Sequence, residues 1–130
     1  FFRIKFGNYW ISSEVGMHDL PQEVGMDKSY VDFDKGCYLG QEVMARLHSM
    51  GKVQKEIITV YWKGDRRSPP TLPANIIMDQ KIVGQLRNLV SYENFCLGIA
   101  KVHLKAKERL VNEGLDLEEK CMGKIFDYER

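Results

Sequence analysis

The alternation of apolar and polar residues predicts β-strands over most of the chain beyond residue 52. Five segments are rich in β-branched and aromatic residues and are separated by turns or a helical stretch: 54–64, 74–79, 81–91, 95–103 and 120–129. Strands at this spacing are typical of a small antiparallel barrel or sandwich. We therefore predict a mainly β fold with a small α part, in which residues 52–130 form an antiparallel β-barrel of about six strands.

Two stretches have the three- and four-residue spacing of an amphipathic helix. The first runs from residue 39 to residue 50, and its apolar stripe consists of Val43, Leu47 and Met50, widened by Met44 and Ala45. Gly51 follows at the position where a left-handed cap is common. Residues 104–114 predict a second, short helix that ends at a glycine.

The residues before the first helix predict an irregular connector laid over a surface. Turn signals interrupt this segment at Gly7-Asn8, at Gly16 and at Leu20-Pro21. Proline fixes its own φ and biases the preceding residue toward extended geometry, so no long element is expected there.

Glycines and aromatic residues inside the predicted strands have two expected roles. The glycines at positions 84, 98 and 123 are expected at bulges or tight corners, because a missing Cβ lets a sheet bend. Tyr61, Trp62 and Phe95 are expected to fill the barrel interior or its mouth, where an aromatic ring can meet a ligand.

Composition limits the classes of function. The 130 residues include 19 basic and 18 acidic ones, so the net charge of +1 gives no whole-chain field for nucleic acid. No apolar run approaches the roughly 20 residues of a membrane-spanning helix, and we predict neither a nucleic-acid partner nor a membrane partner. The sequence opens without methionine inside a patterned segment, so we expect it to be a piece of a longer protein.

The three cysteines, Cys37, Cys96 and Cys121, form no CxxC pair and no compact cluster with histidine. Neither a disulfide framework nor a complete metal site is therefore predicted in this chain, and a reducing compartment is expected. Cys96 lies in an apolar strand and is expected in the core, while Cys121 lies near a strand start with no partner at ligand spacing.

Residues 34–46, DKGCYLGQEVMAR, contain the strongest candidate for chemistry. A thiol acts as a nucleophile or metal ligand only as the thiolate, which a helix N-terminus and a nearby cation favour. The predicted helix begins two residues after Cys37, and Lys35 lies two positions before it. Gly36 and Gly40 permit positive φ and the close approach of a ligand. The alternative is that Cys37 is a small buried apolar residue in a packed turn, and the residues alone leave both open.

The run KGCYLGQEVMAR followed by GKV resembles the signature of the YgfZ/GcvT-type folate-binding family, K-G-C-Y-x-G-Q-E followed by an Ala-Arg or similar pair and a Gly-x-Val stretch. The matching residues are Lys35, Gly36, Cys37, Tyr38, Gly40, Gln41, Glu42, Ala45 and Arg46. Segments 3–7, 20–25 and 97–102 also resemble family segments, so the resemblance covers nearly the whole chain. The Cys-Tyr pair favours the YgfZ-like branch over the aminomethyltransferases, whose motif lacks the cysteine.

This resemblance implies a larger protein in which N-terminal domains and a C-terminal, aminomethyltransferase-like barrel surround a tetrahydrofolate pocket. Residues 1–51 would be the end of the folate-binding region, and residues 52–130 would be the barrel domain. Tetrahydrofolate or a one-carbon derivative would then be bound mainly by the part that precedes this chain, with Tyr38, Glu42 and Arg46 as expected contacts.

The YgfZ-like branch is associated with the assembly or repair of iron–sulfur enzymes, including tRNA-modifying ones. The resemblance therefore implies a folate-binding accessory protein rather than a conventional enzyme, with Cys37 as the candidate catalytic residue or transient iron–sulfur ligand. Its partners would be iron–sulfur proteins or assembly factors, in the bacterial cytoplasm or the mitochondrial matrix. Two alternatives are an aminomethyltransferase similar to the glycine-cleavage T-protein and a barrel that serves only as an interaction module.

The other polar candidates favour structural roles. Glu42 and Arg46 lie one helical turn apart and are expected to form an ordinary ion pair, with direct ligand contact as the alternative. His18, His48 and His103 are scattered in sequence, so we expect surface or structural histidines.

Overall fold

A computed structural model describes residues 2–26, 30–63, 70–92, 94–113, 115–117, 120–122 and 126–127. The elements in chain order are α1 (Phe2–Lys5), a 3-10 turn (Pro21–Val24), α2 (Gln41–Met50), β1 (Lys55–Lys63), β2 (Ala74–Met78), β3 (Lys81–Tyr92), β4 (Phe95–His103), α3 (Leu104–Glu113), β5 (Leu115–Leu117), β6 (Lys120–Met122) and β7 (Phe126–Asp127). The predicted mainly β fold with a small α part is confirmed.

The described strands form one antiparallel sheet in the order β6-β5-β2-β3-β4-β1-β7. Its four long central strands correspond to the first four predicted ones. The region predicted as one final strand contains the two short strands β6 and β7, and β5 was not predicted. Within the described residues no ladder joins β6 to β7, so the sheet is open and the closure of a barrel is not confirmed.

The local signals in the central strands produce a tight turn and two bulges. Asp79 and Gln80 both have positive φ, 50° and 61°, as a two-residue turn between twisted antiparallel strands requires. The register of β3 shifts at two places, where it pairs with β2 and where it pairs with β4. A Cβ at Gly84 would lie 2.6 Å from the Lys101 carbonyl oxygen, and one at Gly98 would lie 2.9 Å from the Asn88 carbonyl oxygen. Both glycines thus permit close strand approach, and they lie next to the two register shifts, which agrees with the predicted role at bulges. Position 123 lies outside the described residues.

The central sheet buries an apolar core on each of its faces, because successive strand residues point to opposite sides. One face packs against α3 and includes Val60, Ile76, Leu86, Cys96, Ala100 and Val102 beneath Ala106 and Leu110. The other face includes Ile57, Leu97 and Ile99 and is covered by Ile4, Tyr9 and Val24 of the connector. The connector is therefore part of the folded unit and lies over a surface of the sheet, as predicted.

Helix α2 forms where predicted, but its buried face differs from the predicted stripe. It begins at Gln41 rather than residue 39, because Gly40 has a φ of 86° and closes a turn before the helix. Val43 is 55% exposed, whereas Met44 is 8% exposed, so the prediction that Val43 faces the core is wrong. The side chain of Gln22 donates to the Met44 carbonyl oxygen at 3.5 Å, which is a weak contact between the 3-10 turn and α2. The side chains of Leu47 and Met50 lie outside the described set.

Among the helices that the structure describes, none has the length and apolar character needed to cross a membrane.

Candidate functional site

A buried carboxylate, Glu14, ties the start of the connector to the sheet. Arg3 donates to it from two nitrogens, at 2.5 and 2.7 Å, and the Trp10 amide donates at 2.8 Å. The Asn88 side-chain amide of β3 donates to the same carboxylate. Burial raises the pKa of Glu14, but these hydrogen bonds outweigh burial and hold the pKa below its usual value. Glu14 is therefore a charged acceptor that joins α1, the connector and β3.

A second polar cluster joins the 3-10 turn to β3 and β4. Asp19 accepts from Arg87 and, at 2.7 Å, from the Lys101 ammonium group, which also donates to Glu23 at 2.5 Å. The side chains of Asp19 and Glu23 are almost wholly buried. Burial raises the pKa of Asp19, but the hydrogen bonds from Arg87 and Lys101 prevail and hold it well below its usual value. The backbone of residues 19–23 is thus fixed on the polar part of the sheet face.

The motif segment is positioned through this anchored turn. Glu23 accepts from the Leu20 amide at 3.0 Å, which closes the turn around Pro21 and Gln22. Gln22 in turn contacts the backbone of α2 at Met44. The sheet therefore holds the turn, and the turn contacts the helix that follows the cysteine.

Cys37 lies at the surface of the chain, four residues before α2 begins. Its exposure rules out the alternative of a small buried residue within this chain. The helix N-terminus is two residues farther away than predicted, and Lys35 forms an ion pair with Asp32 at 3.7 Å. The thiol is consequently accessible to a reactant, while the support from helix and lysine is weaker than the sequence suggested.

The other motif residues surround the cysteine on an exposed segment. Tyr38 donates its amide to the Gln41 side-chain oxygen at 3.3 Å, and the Gln41 amide donates to the Tyr38 carbonyl oxygen at 3.2 Å, so the two residues close the turn before α2. Glu42 and Arg46 form the predicted ion pair at 3.4 Å, and both are exposed. A Cβ added at Gly36 would meet no other atom within 4 Å, so the space beside Cys37 is open to an approaching reactant.

Apolar side chains add to the exposed surface around the motif. Tyr30, Leu39 and Val43 are exposed, and Tyr38 is partly so. An accessible thiol beside exposed apolar and charged side chains can meet a protein or ligand surface.

The remaining predicted candidates do not join Cys37. Cys96 is fully buried in the core against α3, as predicted, and lies 3.3 Å from the Ser91 hydroxyl. His18 and His103 line one cleft at the polar end of the sheet face, whereas the side chains of His48 and Cys121 lie outside the described set. Within the described part of the chain, no group of three or more His, Cys, Asp or Glu side chains could hold a metal ion.

Two anchoring clusters were missed by the sequence reasoning. Arg87 and Lys101 are charged residues inside otherwise apolar strands, and that placement is a signal for buried partners. Their partners, Asp19 and Glu23, are distant in sequence, at separations of 68 and 78 residues. No local pattern reveals pairs of such separation.

Part of the chain is similar in sequence to curated proteins of one class, the mitochondrial iron–sulfur cluster assembly factors. The individual relatives are IBA57 homologues, and three of them illustrate the similarity. The protein of Aspergillus clavatus is 52% identical over 42 residues, which is 32% of this chain and 9% of the relative. That of Mycosarcoma maydis is 44% identical over 52 residues, or 39% of this chain and 13% of the relative. That of Phaeosphaeria nodorum is 41% identical over 59 residues, or 43% of this chain and 14% of the relative.

The matched segments thus cover between 9% and 14% of these three relatives. No protein-family model matches the chain.

Proposed function

We propose that this chain is part of a protein that supports the assembly or repair of iron–sulfur clusters in other proteins, and that Cys37 is its reactive group. The observation that carries the proposal is the exposed thiol of Cys37 within a motif that resembles those of folate-binding accessory proteins. The local similarity to proteins named iron–sulfur cluster assembly factors supports the same class of function.

The chemistry of the thiol suits this role. Thiolates are the usual protein ligands of iron–sulfur clusters, so an exposed cysteine can hold iron of a substrate cluster transiently. The described residues contain no group of three or more His, Cys, Asp or Glu side chains that could hold a metal ion, so a client protein or assembly factor would supply the other ligands. This arrangement favours transfer over permanent storage of a cluster.

The Cys37-Tyr38 pair favours the YgfZ-like branch of the resemblance over an aminomethyltransferase. For a protein of that branch the partners are iron–sulfur proteins, tRNA-modifying enzymes among them, or assembly factors. The relatives are named as mitochondrial, and we extend that location to this protein.

We propose in addition that tetrahydrofolate or a one-carbon derivative binds to the whole protein as a ligand. The described side chains that the resemblance assigns to it, Tyr38, Glu42 and Arg46, are partly or largely exposed and already form local contacts. They fit a role as one wall of a pocket whose other walls lie in another domain. When bound, the folate would carry one-carbon units, and these three residues would contribute an aromatic face, a carboxylate and a guanidinium for orientation.

This chain alone is expected to bind tetrahydrofolate only weakly. A pocket built between domains loses most of its buried contact area when one wall is present alone. Calorimetric titration of the isolated chain should therefore give a dissociation constant well above the micromolar range. Micromolar or tighter binding would show that the connector and sheet suffice, and the proposed division of the pocket would be wrong.

Loss of the protein from its cells is expected to reduce the activities of iron–sulfur enzymes several-fold. The physical reason is that clusters which are not inserted or repaired leave the client's cysteines without iron. The activities are measured in extracts, with enzymes of the same compartment that contain no cluster as the control. Equal activity of both groups in the presence and absence of the protein would contradict the proposed function.

A further inference from the structure

The sheet face covered by the connector ends in a polar cleft with a volume of about 480 Å³. His18, Asp19, Lys55, Arg87, Lys101 and His103 are among its lining residues. A cleft of this volume is large enough for a small molecule. None of its lining residues belongs to the cysteine motif, so it is a separate candidate site.

The sheet register explains how these polar side chains come together. On β4, Lys101 and His103 follow the buried Ile99 at two-residue steps, so they continue the same face beyond the apolar core. His103 pairs with Lys55 on β1, and Lys101 pairs with Gln85 on β3. The face is therefore apolar at one end and rich in nitrogen donors at the other.

Two of the cations in the cleft are held in fixed positions. Lys101 contacts both Asp19 and Glu23, and Arg87 contacts Asp19 and donates to the Glu14 carbonyl oxygen at 2.7 Å. These contacts fix the two side chains before any ligand arrives. A ligand that uses their remaining donors would meet groups that need little further ordering.

Other donors in the cleft have no partner among the residues that the structure describes. The side chains of Lys55, His18 and His103 form no hydrogen bond or ion pair there. The lining contains three cationic side chains and one carboxylate, Asp19. With Glu23, the second carboxylate that pairs with Lys101, counted as well, one positive charge remains even with both histidines neutral. A concave positive surface concentrates anions from solution.

We propose that this cleft binds a small molecule with at least two anionic groups, either phosphates or carboxylates. Ammonium and guanidinium groups donate charge-assisted hydrogen bonds to such oxygens. Lys55 and Arg87 lie on β1 and β3, which flank β4, so their backbones are about 10 Å or more apart. The donors therefore line both sides of the cleft, and a molecule with two anionic groups can contact both sets at once.

The proposal is tested by calorimetric titration of the protein with inorganic pyrophosphate and, separately, with citrate. Lys55→Gln removes an exposed positive charge, and His18→Ala removes an exposed ring donor. Neither side chain has a partner among the described residues, so both variants are expected to fold normally. Each should weaken binding by about tenfold, as expected for the loss of a charge-assisted contact. Lys105→Gln is the matched control, because it removes one exposed positive charge on α3, outside the cleft lining.

Binding of pyrophosphate alone would identify the ligand as a phosphate compound, and binding of citrate alone would identify a polycarboxylate. Either result supports the cleft if Lys105→Gln retains wild-type affinity. Absence of binding with both probes would overturn the proposal. So would binding that Lys55→Gln and His18→Ala leave unchanged, or that Lys105→Gln weakens equally. None of these results bears on the proposed role of Cys37, because the two sites share no residue.

Discussion

Replacement of Glu14 with glutamine is expected to lower the free energy of unfolding by about 3 kcal/mol. The Glu14 side chain is 0% exposed and accepts hydrogen bonds from Arg3, Trp10 and Asn88. Glutamine has nearly the same shape, but it has no charge and replaces one acceptor oxygen with a donor. Arg3 would lose its counter-ion, and one of the surrounding donors would face an NH2 group. We expect a loss of stability at the lower end of the range that is typical of broken buried ion pairs, because Arg3 is partly exposed and its guanidinium can regain water.

Urea unfolding of the purified protein measures this loss. Glu42→Gln makes the same chemical change in the exposed pair with Arg46, and its unfolding midpoint should match that of the wild type. An equally small effect of Glu14→Gln would show that the connector is not held to the sheet through this carboxylate.

The four central strands could be predicted because their signals are local. β1 is dense in β-branched and aromatic residues, and the turn at Asp79 and Gln80 separates two apolar runs. Gly84 and Gly98 were recognisable as sites of bulges, because they are glycines inside strand segments, whereas the close approach of neighbouring backbone atoms became visible only in the structure. The strands β5 to β7 contain two or three residues each, and such short segments form by pairing with neighbours rather than by their own propensity.

The direction in which α2 faces could not be predicted from its apolar spacing. Val43 and Met44 are adjacent and both apolar, so the sequence allowed either to face inward. Which of them is buried depends on how the helix meets the rest of the fold, and the contact of Gln22 with the Met44 backbone is one such tertiary contact. Tertiary contacts of this kind override a helical pattern in a short helix.

The residues of the candidate site could be predicted from the sequence, but the local geometry around Cys37 could not. The motif identified Cys37 and the ion pair of Glu42 with Arg46. The distance from Cys37 to the helix depends on the turn that Gly40 closes, and the pairing of Lys35 with Asp32 depends on loop geometry. Neither has a periodic signal in the sequence.

Replacement of Cys37 with serine is expected to abolish the support of iron–sulfur enzymes while leaving the fold intact. Cys37 is exposed, so a hydroxyl at this position remains hydrated and incurs no burial cost. Serine preserves the shape of the side chain but provides no thiolate for iron or for an electrophilic carbon. The unfolding midpoint of Cys37→Ser should therefore equal that of the wild type.

Cys96→Ser is the matched control for the same chemical change at a structural cysteine. Cys96 is fully buried, and a hydroxyl there is expected to cost on the order of 1 kcal/mol of stability. This variant should lose stability and keep its function in whatever fraction remains folded. The two substitutions therefore separate reactivity from packing.

The most direct test of the role of Cys37 is the activity of iron–sulfur enzymes in cells that lack the protein and express either wild type or Cys37→Ser at equal levels. We predict that the wild-type protein restores these activities and that Cys37→Ser leaves them at the level of the empty control. Restoration of wild-type activity by Cys37→Ser would contradict the assignment of the exposed thiol as the reactive group.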